Sequence, residues 1–352
     1  MMTSYEPPLA NRGVVIDNKK NTDAVETDLT AMIDYIRVSF KTHDVDKILE
    51  NVVHLKKDYM QEKDSGFYGY VGTFQIDHIK VFYSRPDDDR GILVEMAGQG
   101  CRQFETFLKT RKKTWQDFFQ DCMNHNGSFT RLDLALDDTK TYFSVPFLLE
   151  KVKRGEVITR FRKTDYNGSF NIEKETEGGT TLYFGSKKSD AYLCFYEKNH
   201  EQAQKYDRDV EDIGEWNRYE LRLKDDRAQV AAEKLIEHQD LRYVSLSIVH
   251  NYLRFVDKDK NKKESWKTSE FWKTFLGDVG KLQLYQKPQE DFYEKTLNWL
   301  IRSCSPSIKM VHEYDMASGE QQLSDMIIDA ELADRHQKML DVYLAKKEDM
   351  VC

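Results

Sequence analysis

Hydrophobic residues recur at every second position in several short stretches of the chain. The pattern is clearest in MIDYIRVSF (Met32–Phe40), SFTRLDLALDD (Ser128–Asp138), DAYLCFYEKN (Asp190–Asn199) and WNRYELRLK (Trp216–Lys224). That period belongs to strands that bury one face. FYGYVGTFQIDHIKVFYS (Phe67–Ser84) predicts a hairpin turning near Ile76–His78, and GILVEMAG (Gly91–Gly98) predicts another strand. A strand is expected around Val157–Arg162, and TTLYFGS is expected to pair with DAYLCFYEKN. Helical spacing appears elsewhere. Asp44 can cap DVDKILENVVHL, and one helix is predicted from about Arg102 to Met123, carrying Phe104, Leu108, Trp115 and Phe119. Further helices are expected at Val145–Arg154 and Asn199–Tyr206. From about Asp225 the chain reads as almost all helix, with DDRAQVAAEKLIEH, FWKTFLGDVGKLQL and DFYEKTLNWLIRS amphipathic.

This order predicts an α+β fold: a largely antiparallel sheet backed by helices, followed by a helical C-terminal region. The expected domains are a flexible leader at 1–30, an α+β domain at 31–240 and a helical region at 241–352 with an acidic tail. The boundary falls within 225–245.

Composition narrows the class. Hydrophobic residues at 39% and aromatic ones at 12% supply a core, which excludes wholesale disorder. No apolar run approaches the ~20 residues of a membrane span, and the N-terminus lacks a secretory core, so a cytoplasmic location is expected. The five cysteines form no CxxC, and the nine histidines form no HExxH and no His-x-His, so neither suggests a metal site. The net charge of −8 argues against nucleic acid until its distribution is considered. Val311–Cys352 holds ten acids and four Lys/Arg, a net of −6, which leaves −2 for everything before it. The basic clusters KTRKK (Lys109–Lys113), KVKRGEVITRFRK (Lys151–Lys163) and KDKNKK (Lys258–Lys263) lie upstream. Such clusters can follow a phosphate backbone or simply solvate a surface.

Three strands oppose a carboxylate to an apolar face. Glu95 sits between Val94 and Met96. Arg131, Asp133, Ala135 and Asp137 face away from Leu132, Leu134 and Leu136. Arg218, Glu220 and Arg222 face away from Tyr219, Leu221 and Leu223. If these strands are neighbours, Glu95, Asp133 and Glu220 converge. Carboxylates brought together need compensation, either from a hard divalent ion or from Arg131, Arg218 and Arg222. A charged outer face is also ordinary antiparallel sheet design. Asp133 and Asp137 are four strand residues apart, so their Cα atoms lie ~13 Å from one another and cannot share an ion without a bend. Tyr192, Cys194 and Tyr196 share one face of their strand, which Lys198 extends. A tyrosine beside a phosphodiester can act as nucleophile, although most strand tyrosines only pack.

FTRLDLALDD, YFGSKKSDAYLCFYEKNHEQ and WNRYELRLKDDRA closely resemble the replication initiation factor family. That family comprises rolling-circle initiators of Gram-positive plasmids and the related relaxases of integrative and conjugative elements. MIDYIRVSF, GYVGTFQ, VEMAGQGCRQFE and FWKTFLGDVGKLQL…KTLNWL are similar to the conjugative branch, and the resemblance spans about residues 32–310. It implies a Rep/relaxase-like catalytic domain that nicks one DNA strand at an origin of transfer. The enzyme would stay linked to the 5′ phosphate and leave a 3′ hydroxyl for conjugation and rolling-circle replication. A plasmid initiator with the same chemistry, a non-catalytic DNA-binding protein on the same scaffold, and a water-using metal phosphodiesterase are the alternatives.

The resemblance places the nucleophile on Tyr196, with Tyr192 second and Lys198 as a helping cation. It places metal ligands on Asp133 and Glu220, with Glu95 and Asp137 as further candidates, and implies Mg²⁺ or Mn²⁺. DNA contacts are expected from Arg131, Arg218, Arg222, Lys187 and Lys188. A helicase and a conjugation coupling protein are the expected protein partners. The 30-residue leader is too short for the N-terminal helix-turn-helix of some relatives.

Overall fold

The computed structural model describes residues 29–64, 66–172, 176–259, 262–277, 296–297, 300–333, 336–337, 340–341 and 344–345. Nearly all of the expected leader, the DVGKLQL and DFYEK segments and the last residues of the acidic tail lie outside them. In chain order the strands are β1 (Leu29–Phe40), β2 (Gln61–Lys63), β3 (Gly72–Ile76), β4 (Ile79–Tyr83), β5 (Ile92–Ala97) and β6 (Ser128–Asp138). They continue as β7 (Val157–Thr159), β8 (Thr164–Asn171), β9 (Thr176–Phe184), β10 (Ala191–Glu197), β11 (Asn217–Lys224) and β12 (Leu253–Phe255). The helices up to residue 277 are α1 (Val45–Ile48), α2 (Gln99–Thr110), α3 (Trp115–Asn124), α4 (Val145–Lys153), α5 (Lys198–Tyr206), α6 (Val210–Ile213), α7 (Asp226–His238), α8 (Leu241–Tyr252) and α9 (Glu270–Gly277). The fold class is α+β, as the periodicity predicts.

The chain divides into two compact units, residues 1–40 with 115–287, and residues 41–114 with 288–352. In the first unit the strands run in the order β1-β6-β11-β10-β9-β8, each antiparallel to its neighbour. One face is apolar. Leu132, Leu134 and Leu136 of β6 share it with Leu193 and Phe195 of β10 and with Tyr219 and Leu221 of β11, all fully buried. Phe195 and Tyr219 meet with ring centroids 4.8 Å apart, and Phe143, Trp272 and Phe275 extend the aromatic cluster. Side chains of this size dominate the energetics of a core. The helices are set by ordinary caps: Ser144 accepts from Phe147 N–H at 3.3 Å, and Asp240 from Tyr243 N–H at 2.7 Å.

The second unit carries a β2-β3-β4-β5 meander. Its turn at Asp77–His78 is where the sequence places it. Asp44 caps α1 as expected, accepting from Lys47 N–H at 2.9 Å.

Three expectations change. The single helix from Arg102 to Met123 is two helices, because Lys112 adopts a left-handed conformation (φ 56°) between α2 and α3. The break coincides with the junction of the two units at Thr114/Trp115. The strand β8 is polar and glycine-containing, so periodicity misses it. The stretch after Asp225 is not wholly helical, since β12 pairs with β7. That pairing holds residues beyond 240 within the first unit.

Candidate active site

The polar face of the first unit's sheet can be followed row by row from its register. One row runs Thr181–Tyr196–Arg218–Asp137–Thr30 across β9, β10, β11, β6 and β1. The next runs Tyr183–Cys194–Glu220–Ala135–Met32, and the third Tyr192–Arg222–Asp133–Tyr35. The strand faces expected from alternation are thus the observed ones. Adjacency brings Tyr196, Tyr192, Asp133, Asp137, Glu220 and the three arginines onto one surface.

Tyr196 is the most tightly engaged of these. Its hydroxyl donates to Glu220 Oε1 at 2.8 Å and accepts from Lys198 Nζ at 3.4 Å. Lys198 opens α5 directly after β10, a junction that puts its ammonium back over the tyrosine ring. Glu201, one turn on, holds the same ammonium at 2.5 Å. Burial pushes the Tyr196 phenol far above its ordinary value, and the Glu220 carboxylate adds to the shift while Arg218 opposes it. Burial lowers the Lys198 ammonium, assisted by the Arg218 charge. Glu220 is the carboxylate in direct contact with the phenol.

On this face Asp137, Asp133 and Glu220 are each held by a guanidinium. Arg218 grips both oxygens of Asp137 at 2.6 and 2.7 Å. Arg131 grips both oxygens of Asp133 at 3.0 and 2.6 Å, and Arg222 reaches Glu220 Oε2 at 2.7 Å. Asp133 nevertheless has its pKa raised to about 6, because burial outweighs the Arg131 pair. Buried charges of this kind are costly unless fully paired, so these pairs are weak evidence for stability.

The remaining candidates are placed differently. Lys187 and Lys188 lie exposed in the turn between β9 and β10. Glu95 belongs to the second unit, where it is buried on β5 and accepts from the Tyr68 hydroxyl at 3.2 Å. Tyr192 stacks on Tyr183 (centroids 5.7 Å, planes 15° apart) with Arg222 over its ring, and burial pushes its phenol up to about 12. Asp34 escapes the alternation. A register shift between Ile33 and Tyr35 interrupts the pairing at Asp34, which lies 3.6 Å from Arg218. An acid inside the otherwise apolar MIDYI was the available signal. Glu201 and Tyr183 were also missed, since each acts only through a spatial neighbour.

The donors suit a hard cation in kind, but their arrangement does not fit one. Among the described residues no three of His, Cys, Asp or Glu come together to hold an ion. The oxygens of Asp133, Asp137 and Glu220 are already occupied by arginine or tyrosine donors.

The polar face brings a tyrosine, a glutamate and a lysine together on an antiparallel sheet. The chain belongs to the replication initiation factor family: residues 127–327 match the model of that name, and residues 30–121 match the N-terminal domain of rolling-circle replication initiation proteins. It is 65% identical over 347 residues, 98% of each chain, to a Bacillus subtilis (strain 168) protein that carries the name DNA relaxase NicK. The rolling-circle replication initiator protein of Geobacillus stearothermophilus has a similar structure, with TM-score 0.64, 32% identity, 74% of this chain covered and 99% of the other. The family generally uses a divalent metal.

Proposed function

We propose that this protein is a site- and strand-specific DNA relaxase that cuts one strand at an origin of transfer of an integrative and conjugative element. The observation that carries this is the Tyr196 hydroxyl held between Glu220 and Lys198 on a buried, arginine-lined face. Tyr196 Oη attacks the phosphorus of the scissile phosphodiester. The O–P bond to tyrosine forms, the P–O3′ bond breaks, and the 3′ oxygen leaves and takes a proton from solvent. Glu220 Oε1 receives the phenolic proton as the bond forms. Lys198 stabilises negative charge developing on the phenolic oxygen. Protonation of Glu220 weakens its pair with Arg222, whose partly exposed guanidinium is then available to the non-bridging oxygens. The products are a 5′-phosphotyrosine and a free 3′ hydroxyl that can prime replication. Mg²⁺ or Mn²⁺ is the proposed cofactor on family grounds.

A plasmid rolling-circle initiator is the second reading, favoured by the initiator of similar structure. The 65% identity over nearly the whole length supports the relaxase. The protein is proposed to work in the cytoplasm; among the described residues no helix is long and apolar enough to cross a membrane. The C-terminal helices Ser305–Ser318 and Gln322–Asp329 expose Met310, Tyr314, Met316, Met326, Ile327 and Ile328, which supports a contact with a helicase or a coupling protein.

The test is a covalent-adduct assay on supercoiled DNA carrying the origin, with Mg²⁺ or Mn²⁺ supplied. Wild type and Tyr192→Phe are expected to nick and to stay attached to the 5′ end. Tyr196→Phe is expected to do neither while still binding DNA. Nicking by Tyr196→Phe at the wild-type rate would sink the proposal and favour water as nucleophile.

A further inference from the structure

The stacked pair Tyr192–Tyr183 lies on the polar face of the first unit's sheet, opposite to the aromatic cluster of the core. It is part of a longer stack. The Arg222 guanidinium of β11 lies 5.8 Å from the centroid of Tyr192, and the Tyr183 ring of β9 lies 5.7 Å from it. Because β10 runs between β11 and β9, the order across the sheet is Arg222, Tyr192, Tyr183. The first end is closed: Glu220 holds Arg222 at 2.7 Å and, through its other oxygen, the Tyr196 hydroxyl at 2.8 Å. Tyr192 is buried, whereas Tyr183 is partly exposed. Among the described residues no second ring stacks on Tyr183.

A cross-strand aromatic pair can serve the sheet alone. Two features of this one point to a ligand. Tyr183 stands opposite Cys194, two residues from Tyr196 and one strand over, so its Cα lies about 8 Å from that of Tyr196. The turn joining β9 to β10 places Lys187 and Lys188 beside the stack, exposed, and Lys224 of β11 joins them by donating to the Lys187 carbonyl at 2.6 Å. The Lys187 charge acts on the Cys194 thiol, which lies on the polar face. Among the described residues none of these three lysines is ion-paired, and Asp165, opposite Tyr183 on β8, is met by Lys163 at 3.0 Å. A ring with an open face and cations at its edge holds single-stranded nucleic acid by stacking a base and tracking its phosphates.

We propose that Tyr183, backed by Tyr192 and Arg222, is a stacking platform for the base of a nucleotide close to the scissile phosphate, with Lys187, Lys188 and Lys224 on the phosphates of the same single strand. The proposal rests on the relaxase reading and adds to it a base-binding subsite. Arg222 and Tyr196 share Glu220, so the platform is built on the same carboxylate as the nucleophile, and a base seated on it sets the register of the strand over Tyr196. Every base has a face that can stack, so this subsite fixes position and leaves sequence to other contacts.

The experiment compares two probes on full-length Tyr196→Phe protein: a mixed-sequence single-stranded oligonucleotide, and an abasic deoxyribose-phosphate chain of the same length. Adding Tyr183→Ala is expected to weaken the oligonucleotide about tenfold or more and to leave the abasic chain unchanged. Tyr183→Phe keeps the ring and is expected to keep both. Lys187→Gln with Lys188→Gln is expected to weaken both probes alike and to reduce the slope of log K against log salt by about 1.4, at about 0.7 per phosphate contact. Equal losses on the two probes by a Tyr183→Ala protein that melts as its parent does would overturn the proposal, as would no loss on either or an unchanged salt slope in the lysine variant. Crosslinking decides independently of whether Tyr183→Ala folds. An oligonucleotide carrying 5-iodouracil, irradiated on protein with Tyr183 intact, is expected to attach to Tyr183, and mapped crosslinks that omit Tyr183 would overturn the proposal. If the relaxase reading itself were wrong, the unmutated protein would form no covalent adduct with origin DNA. A wrong platform leaves that adduct intact.

Discussion

Tyr196 and Tyr192 sit on the same face of the same strand, two rows apart, yet their surroundings differ in kind. Tyr196 meets a carboxylate that can take its proton and an ammonium that can stabilise its anion. Tyr192 meets another aromatic ring and a guanidinium lying over its own ring, and among the described residues no hydrogen bond ties its hydroxyl to an acid or a lysine. Burial raises both phenols, so burial does not distinguish them. The polar contacts do. A tyrosine becomes a nucleophile through a neighbouring base, whereas one stacked between flat groups is suited to hold a base or a strand in place.

The largest effects should therefore fall around Tyr196. Beyond complete loss in Tyr196→Phe, Glu220→Gln keeps the size of the side chain but not its capacity to accept a proton. It is expected to slow adduct formation by about 10²–10⁴-fold, measured in single-turnover cleavage of a labelled oligonucleotide. A rate within a few-fold of wild type would remove Glu220 from the role of base. Lys198→Met is expected to cost about 10²-fold in the same assay, with DNA binding little changed. Tyr192→Phe keeps the ring and is expected to stay within about tenfold of wild type, since stacking survives it. If Tyr192→Phe matched Tyr196→Phe in its loss, the contrast between the two rows would collapse.

A smaller effect concerns Asp133, whose carboxyl titrates at about 6 in the fold against 3.8 ordinarily. Between these values the folded state holds more protons than the unfolded one. This group's stabilising contribution is therefore fullest below pH 3.8 and is lost as pH rises through 6. Asp133→Asn removes that dependence, so melting temperatures followed from pH 4 to pH 7 are expected to fall less with rising pH than in wild type. Parallel profiles would show that Arg131 already cancels the burial.

The two faces of the sheet were legible in the sequence because β6, β10 and β11 obey a strict period of two. Once they lie side by side, that period dictates which side chains share a surface. What the sequence hid depends on adjacency and on local exceptions to the period. The order of strands decides that Glu220 meets Tyr196 and that Arg218 meets Asp137, whereas Arg222 and Glu220 are neighbours along β11 itself. Asp34 reaches Arg218 where the pairing of β1 slips, and Lys112 divides a pattern that reads as one helix. Glu95 shares the apolar-flanked pattern of the other acids but folds into the other unit, a matter of topology that no local signal carries.

The account stands or falls on which oxygen the DNA is joined to. Trapping the adduct with a short labelled strand, digesting it with protease and mapping the nucleotide-bearing peptide by mass spectrometry reads this directly. The nucleotide is expected on Tyr196, within the segment Ala191–Glu197. A nucleotide on Tyr192, or a cleaved strand with no protein attached, would contradict it.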